Sequence, residues 1–231
     1  MINKLKPFAL FSVASVLIAC GNQAVPEAKP IPLPVKSLQN EQELQDQVLG
    51  QYSINMMQQT NARSKFSEAK KQSLAHSIVR VANDVFTSLE HKKAFIAVLA
   101  IESGFEKSAQ SPTGPRGLSQ VAKAAFAEGL ASCGITNFKD EDVWETELNL
   151  YAGACYFRSL LEKTGNDPYV SIVAYNQGLN SVAAKSFSKS GTMDNIEALK
   201  YVARFSYLKQ VVKETQAPGA PEIQQPKLKK E

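Results

Sequence analysis

The chain has 231 residues, enough for one domain of ordinary size with terminal extensions. Its formal net charge of +4 would fall to about +2 without the leader that contains Lys4 and Lys6, and no basic stripe interleaved with aromatic residues is present, which argues against a nucleic-acid partner. His76 and His91 lack metal-ligand spacing and there is no glycine-rich phosphate loop, so the sequence predicts no metal, no cofactor and no Ser-His-Asp triad.

Residues 1–19 have the pattern of a secretory signal peptide. After a positively charged start, an apolar run of about a dozen residues extends to Ala19, which is too short to span a bilayer at roughly 20 residues. The run ends in Leu17-Ile18-Ala19-Cys20, which resembles the lipobox of bacterial lipoproteins. The alternative is an ordinary signal peptide with an incidental cysteine.

The lipobox resemblance implies that Cys20 is acylated and that the lipid attaches the protein to a membrane. Gly21 rather than aspartate follows the cysteine, which in an enterobacterium-like cell implies the periplasmic face of the outer membrane. Residues 20–40 are rich in proline and polar residues and are predicted to form an extended spacer near the membrane. Residues 214–231 are predicted to be a disordered tail.

Between these extensions the sequence predicts an all-α domain of stacked helices over residues 41–213. Apolar residues recur near period 3.6, and no convincing period-2 alternation is present. The apolar run from Phe95 to Ile101 has a length that would suit a buried strand, but its alanine-rich flanks and helical neighbours favour a buried helix. The other predicted helices cover residues 41–60 (with an interruption near Gly50 as the alternative), 67–89, 142–163, 167–177 and 194–213.

Two cysteines remain once Cys20 is set aside. Outside the cytoplasm, Cys133 and Cys155 are candidates for a disulfide, which would stabilise the fold by about 3 kcal/mol in the chain-entropy model. The alternative is a pair of buried free thiols.

Glu102 follows directly on the buried apolar run. A carboxyl against apolar surroundings is disfavoured in its charged form, so its pKa rises and it can act as a general acid near neutral pH. The alternative is a glutamate that only marks where a buried helix meets water.

Four motifs, in this order and spacing, resemble the soluble lytic transglycosylase catalytic domain of the goose-type lysozyme superfamily. The resemblance covers roughly residues 90–205, and Asn149 and Gly153 match a helix of that family with an Asn-x-x-x-Gly pattern. The motifs are Glu102-Ser103-Gly104-Phe105, Ser111-Pro112-Thr113-Gly114-Pro115-Arg116-Gly117-Leu118-Ser119-Gln120, Ala174-Tyr175-Asn176-Gln177-Gly178 and Glu197-Ala198-Leu199-Lys200-Tyr201-Val202.

The resemblance implies a lysozyme-like helical fold with a groove that binds peptidoglycan glycan strands, and Glu102 as the catalytic residue. It implies substrate-binding positions at Ser111, Gln120, Tyr175, Asn176 and Tyr201. For each of these a structural alternative stays open. Ser111 is also a turn residue, Gln120 a cap or surface amide, Tyr175 and Asn176 the end of a helix closed by Gly178, and Tyr201 a core residue.

The implied reaction cleaves the bond between N-acetylmuramic acid and N-acetylglucosamine and leaves a 1,6-anhydromuramyl end. Glu102 would act as acid and then as base, with the muramyl C6 hydroxyl as nucleophile, so no second carboxylate is required. A lysozyme-type hydrolase is the first alternative, with Asp140, Glu141 or Asp142 as candidates to activate water.

The second alternative is a weakly catalytic or non-catalytic peptidoglycan-binding scaffold. It is favoured by departures from the family pattern, in which Pro115 replaces alanine, Ser119 replaces methionine and residues 121–126 lack the usual Leu-Met-Pro segment. These departures predict that the methionine wall of the groove is missing.

Overall fold

The computed structural model describes residues 35–60 and 66–215. In those ranges the chain forms eight α-helices and one 3₁₀ helix, with isolated β-bridges but no strand, so the predicted all-α class is confirmed. The signal peptide, Cys20, most of the proline-rich spacer and the tail beyond residue 215 lie outside the described residues. The helices are α1 Val35–Thr60, α2 Glu68–Val85, α3 Leu89–Glu102, α4 Lys123–Ser132, the 3₁₀ helix Asp140–Trp144, α5 Thr146–Lys163, α6 Pro168–Gln177, α7 Val182–Ser190 and α8 Ile196–Thr215.

Helix α3 is the centre of the fold. Every residue from Ala94 to Ala100 is fully buried, and α3 contacts α1, α2, α6 and α8. A helix surrounded on all sides needs apolar residues on every face, which explains why its sequence has no amphipathic period. The prediction of a buried helix rather than a strand is therefore confirmed.

The ends of several helices differ from the predicted ones. Helix α1 begins at Val35, so residues 35–40 are helical and do not belong to an extended spacer. No proline lies between residues 35 and 60, so every backbone donor that a helix needs is present there. Helix α1 also continues through Gly50 without interruption. The predicted helix over 67–89 ends at Val85, where Phe86 adopts an extended conformation and α3 begins three residues later. Helix α8 extends to Thr215, two residues into the predicted tail.

Helices α4 and α7 were not predicted. They have 10 and 9 residues, and α4 contains Gly129, which lowers helix propensity. Gly129 is required by packing rather than by helix formation, because a Cβ at this position would lie 2.1 Å from the backbone oxygen of Ala152 in α5. Residue 129 therefore sets how closely α4 and α5 approach each other.

The same two helices are joined by a disulfide between Cys133, at the end of α4, and Cys155 in α5, with a Cα–Cα distance of 5.9 Å.

Within the described ranges, every helix is either too short or too polar to cross a lipid bilayer.

We expect the disulfide to be detectable and stabilising in solution. Alkylation without reduction should give one cross-linked peptide that contains Cys133 and Cys155. The Cys133→Ser/Cys155→Ser protein should lose about 3 kcal/mol of unfolding free energy, because the unfolded chain regains the freedom of a closed loop. Two separately alkylated thiols in protein taken from an oxidising compartment would contradict the pairing.

Candidate active site

A cavity of about 490 Å³, which we call the main groove, opens beside the end of α3. It brings together five of the six side chains that the sequence singled out for catalysis or substrate binding. Its lining residues are Glu102, Ser111, Thr113, Pro115, Gln120, Val121, Ala122, Ala125, Tyr156, Tyr175, Asn176 and Glu197. Tyr201 does not line the main groove but contacts Glu102 directly.

Glu102 is the last residue of α3, and the chain turns sharply after it. Gly104 and Phe105 both have positive φ, at 58° and 66°, which ends the helix. The hydroxyl of Ser103 donates to the backbone oxygen of Leu118 at 2.7 Å, and so ties the end of α3 to the segment that forms another side of the groove. This contact gives Ser103 a structural task beside the catalytic candidate.

Burial away from water raises the pKa of Glu102 from 4.5 to about 7. The hydrogen bond from Tyr201 and the positive charge of Arg204 act in the opposite direction, and the negative charge of Glu197 raises the pKa further. At neutral pH both protonation states of Glu102 are therefore populated, as a group that first donates and later accepts a proton requires.

Tyr201 in α8 is 7% exposed, and its hydroxyl donates to the Glu102 carboxylate at 2.6 Å. Burial raises the pKa of Tyr201 well above its usual range, so the hydroxyl stays protonated and remains a donor. Tyr201 is thus a core residue that contacts Glu102, and its contact with substrate stays a prediction. One turn further along α8, the guanidinium of Arg204 lies 3.4 Å from the backbone oxygen of Ile101 at the end of α3.

The turn segment from Ala109 to Val121 forms one wall of the main groove. The hydroxyls of Ser111 and Thr113 lie 2.9 Å apart, so Ser111 is engaged within its own turn as well as facing the cavity. Gly117 has φ of 75°, and a Cβ there would lie 2.3 Å from the side-chain nitrogen of Asn149. Glycine is needed at position 117 both for its conformation and for this close approach.

Gln120 adopts a positive φ of 46°, which is uncommon for a residue other than glycine. Its amide nitrogen donates to the backbone oxygens of Ala109 and Gly117, at 2.9 Å each. The side chain therefore closes the turn segment with its nitrogen, while the residue still lines the cavity. Gln120 thus caps its own turn segment, as the structural alternative predicted.

Ser119 lies beneath the main groove and not in its wall. It is fully buried, its hydroxyl donates to the backbone oxygen of Asn149 at 3.0 Å, and its backbone nitrogen donates to the Asn149 side chain at 2.8 Å. A Cβ on Gly153 would lie 2.3 Å from the Ser119 hydroxyl, so glycine at 153 makes room for it. The interpretation of Ser119 as a missing part of the groove wall is wrong. The departures that line the groove are Pro115, Val121, Ala122 and Ala125.

Tyr175 and Asn176 stand at the end of α6, which is closed by Gly178 with φ of 87°. The Tyr175 hydroxyl donates to the backbone oxygen of Ser119 at 2.8 Å, and so links α6 to the turn segment. The side-chain oxygen of Asn176 accepts from Gln177 at 2.6 Å. Gln177 in turn accepts from Asn195 at 3.1 Å, just before α8. Tyr175 and Asn176 thus stand at a helix end, as the structural alternative predicted, and they also line the main groove.

Two further residues act on Glu102 although the sequence interpretation assigned them nothing. Glu197 lines the main groove, and its negative charge raises the pKa of Glu102. Arg204 acts on that pKa in the opposite direction. The sequence did contain a signal for both residues. Glu197 precedes Tyr201 by four positions and Arg204 follows it by three, which places all three on the same side of one helix.

The acidic candidates for a hydrolytic mechanism do not line the main groove. Asp142 caps the 3₁₀ helix by accepting from the backbone nitrogen of Lys139 at 2.8 Å, and Asp140 pairs with Lys123. The interpretation of residues 140–142 as water-activating acids is therefore wrong. Among the described residues, no group of three or more histidine, cysteine or acidic side chains is placed to hold a metal ion.

A family model described as "Transglycosylase SLT domain" matches residues 88–197, which is just under half of the chain. The matched range begins at α3, includes Glu102 and the whole turn segment, and ends at Glu197. No curated protein and no solved structure matches the chain.

Proposed function

We propose that this protein is a lytic transglycosylase, because residues 88–197 match a family model described as "Transglycosylase SLT domain". It cleaves the β-1,4 bond between N-acetylmuramic acid and N-acetylglucosamine and leaves 1,6-anhydromuramyl ends. The observation that carries the proposal is a carboxyl with a pKa of about 7 in an open groove, held by a buried tyrosine.

In this mechanism Glu102 serves twice. Its protonated form first donates to the glycosidic oxygen, so that the glycosidic bond breaks and the leaving sugar departs with a hydroxyl. The resulting carboxylate then takes the proton from the muramyl C6 hydroxyl, whose oxygen attacks C1 and closes the anhydro ring. Both steps need a group whose two protonation states are close in free energy at neutral pH. A pKa of about 7 gives Glu102 this property.

The test is the chemistry of the released ends. Purified sacculi digested with the protein should yield muropeptides that are lighter by two hydrogens and one oxygen than the hydrolytic products, as measured by mass spectrometry. Ordinary reducing ends would point to hydrolysis. Binding to sacculi without any release would point to a scaffold, with the altered groove positions at Pro115, Val121, Ala122 and Ala125.

A lysozyme-type hydrolase is the second candidate, and Glu197 is the observation that favours it. It is the other carboxylate that lines the main groove in the described part of the chain. A hydrolase needs a base that activates water, and an exposed carboxylate can serve. If Glu197 has this task, Glu197→Gln should abolish reducing ends. In the transglycosylase reaction the Glu197→Gln protein should still release anhydro ends, with a shifted pH dependence.

That pH dependence gives a sharp expectation. Activity should fall as pH rises through about 7, because the reaction needs the protonated form of Glu102. Tyr201→Phe removes the hydrogen bond that lowers this pKa, so the alkaline limb of kcat/KM against pH should move to higher pH. Glu197→Gln removes a charge that raises the pKa, so the limb should move to lower pH. Shifts in the same direction for both variants would contradict the assignment.

We further propose that the protein is a lipoprotein attached through Cys20 at the periplasmic face of the cell envelope, at the outer membrane. The support is the position of Cys20 at the end of the apolar leader, followed at once by polar residues. Wild-type protein should incorporate labelled fatty acid and fractionate with outer membranes, and Cys20→Ala should lose the label. A Cys20→Ala protein that still contains fatty acid would refute this attachment.

A further inference from the structure

A second cavity of about 380 Å³ adjoins the main groove, and we call it the side pocket. The two cavities share the lining residues Thr113, Val121 and Ala122. Ala122 contributes only a methyl group to this shared wall, so little side-chain volume separates the cavities at that point. The side pocket is therefore the space next to a sugar substituent that points toward this wall of the main groove.

The two cavities differ in charge. The charged side chains that line the main groove are Glu102 and Glu197, both acids. The side pocket is lined by Arg116, Lys123 and Asp140. Lys123 and Asp140 pair with each other, which leaves the positive charge of Arg116 uncompensated within the pocket. No ion pair between described residues includes Arg116.

Arg116 is held in place by its backbone and by an aromatic ring. Its backbone nitrogen donates to the backbone oxygen of Val121 at 3.2 Å, and its backbone oxygen accepts from the side-chain nitrogen of Asn149 at 3.1 Å. Its guanidinium lies 5.8 Å from the centre of the Trp144 ring, at cation–π distance. The ring contact reduces the conformational freedom that the exposed Arg116 side chain would lose on binding an anion.

The start of α4, at the wall shared by the two cavities, also favours binding of an anion. The N-cap residue is Ala122, whose side chain cannot accept a hydrogen bond from the first turn. The first amide groups of α4 are thus open to an external acceptor, and the helix dipole favours a negative one. Phe126 and Val143 supply apolar lining beside these donors.

We propose that the side pocket binds a carboxylate linked to the muramyl sugar in the main groove, with Arg116 as its main partner. This inference rests on the proposed function. The sugar has a lactyl group at C3, which either ends in a free carboxylate or continues into a stem peptide with carboxylates of its own. Attraction to Arg116 and repulsion from Glu197 act in the same sense, and so determine which sugar of the strand lies beside Glu102.

The test measures binding to the full chain with Glu102→Gln, so that no ligand is consumed. Calorimetric titration would compare three soluble ligands of equal length. They are glycan with stem peptides, amidase-treated glycan with free lactyl carboxylates, and a chitin oligosaccharide without carboxylates. Arg116→Gln should weaken binding of at least one carboxylate ligand about tenfold and that of chitin less than twofold. The difference should shrink as salt is added.

Two further substitutions sharpen the test. Asp140→Asn removes the negative charge from the side pocket and should strengthen carboxylate binding about twofold to threefold. Lys189→Gln removes an exposed positive charge from α7, at a different cavity, and should change nothing. Thermal unfolding of each variant checks that the fold is retained.

Each outcome has one meaning. A loss confined to the peptide-bearing ligand identifies the stem peptide as the source of the carboxylate, and a loss with amidase-treated glycan identifies the lactyl group. An equal loss for chitin, no loss for either carboxylate ligand, or no binding of either before the substitution overturns the inference. Wild type that releases no cleaved ends while the carboxylate dependence persists would refute the proposed reaction and leave the side pocket standing.

Discussion

Replacing Glu102 by glutamine should reduce cleavage of sacculi at least 10²–10⁴-fold, because the amide cannot deliver a proton to the leaving oxygen. That range is the typical contribution of a general acid, and here the same group also serves as the base, so a larger loss is expected. The measurement is release of soluble muropeptides over time. Glu162→Gln, an exposed position on α5, is the matched control and should retain full activity.

The Glu102→Gln protein should fold as the wild type does. The amide oxygen can still accept from the Tyr201 hydroxyl, and a neutral group is easier to bury than a carboxylate. Burial raises the pKa of Glu102 from 4.5 to about 7, so the folded state binds more protons than the unfolded state between these values. Wild type should therefore lose stability relative to the variant as pH rises through this window. A folded variant with full activity would remove Glu102 from the mechanism.

Replacing Gly129 by alanine should lower the unfolding free energy by about 3 kcal/mol. The added Cβ would lie 2.1 Å from the backbone oxygen of Ala152, and a backbone atom inside a helix cannot rotate away. Helices α4 and α5 cannot separate easily either, because a disulfide and the hydrogen bond from Arg158 to the backbone oxygen of Ser132 join them. For a chain of this size, the melting temperature should fall by about 6–12 °C.

Gly50→Ala is the control for this substitution. A Cβ at position 50 would have no atom within 4 Å, and the residue lies inside α1, so alanine should add about 0.5–1 kcal/mol of stability. Calorimetry or circular dichroism during heating would measure both variants. An unchanged melting temperature for Gly129→Ala would show that the two helices can move apart.

The sequence predicted those parts of the site that depend on local pattern. The apolar run before Glu102 is continuous, and burial requires exactly such a run, so both the helix and the environment of its last residue followed from neighbouring residues. The helix ends were less predictable. Val85 and Leu89 lie within one apolar period, and the two helices are separated by residues 86–88, of which Phe86 and Ser88 have an extended backbone.

Contacts between distant segments could not be predicted from pattern. The direction of the Ser119 side chain depends on a gap opposite Gly153 in α5, which no spacing within the turn segment reveals. The position of Glu197 in the main groove likewise depends on how α8 docks against α3. Motif order indicated which residues come together, but tertiary packing decides which of them face the cavity.

The hydrogen bond between Tyr201 and Glu102 joins residues that lie 99 positions apart. A chain synthesised from its N-terminus contains the acid long before it contains the hydroxyl that holds it. Until α8 docks, the Glu102 carboxyl has neither the hydrogen bond from Tyr201 nor the neighbouring charges of Glu197 and Arg204. If the proposed reaction is correct, a molecule that ends before α8 should lack activity, because α8 supplies the tyrosine that holds the acid.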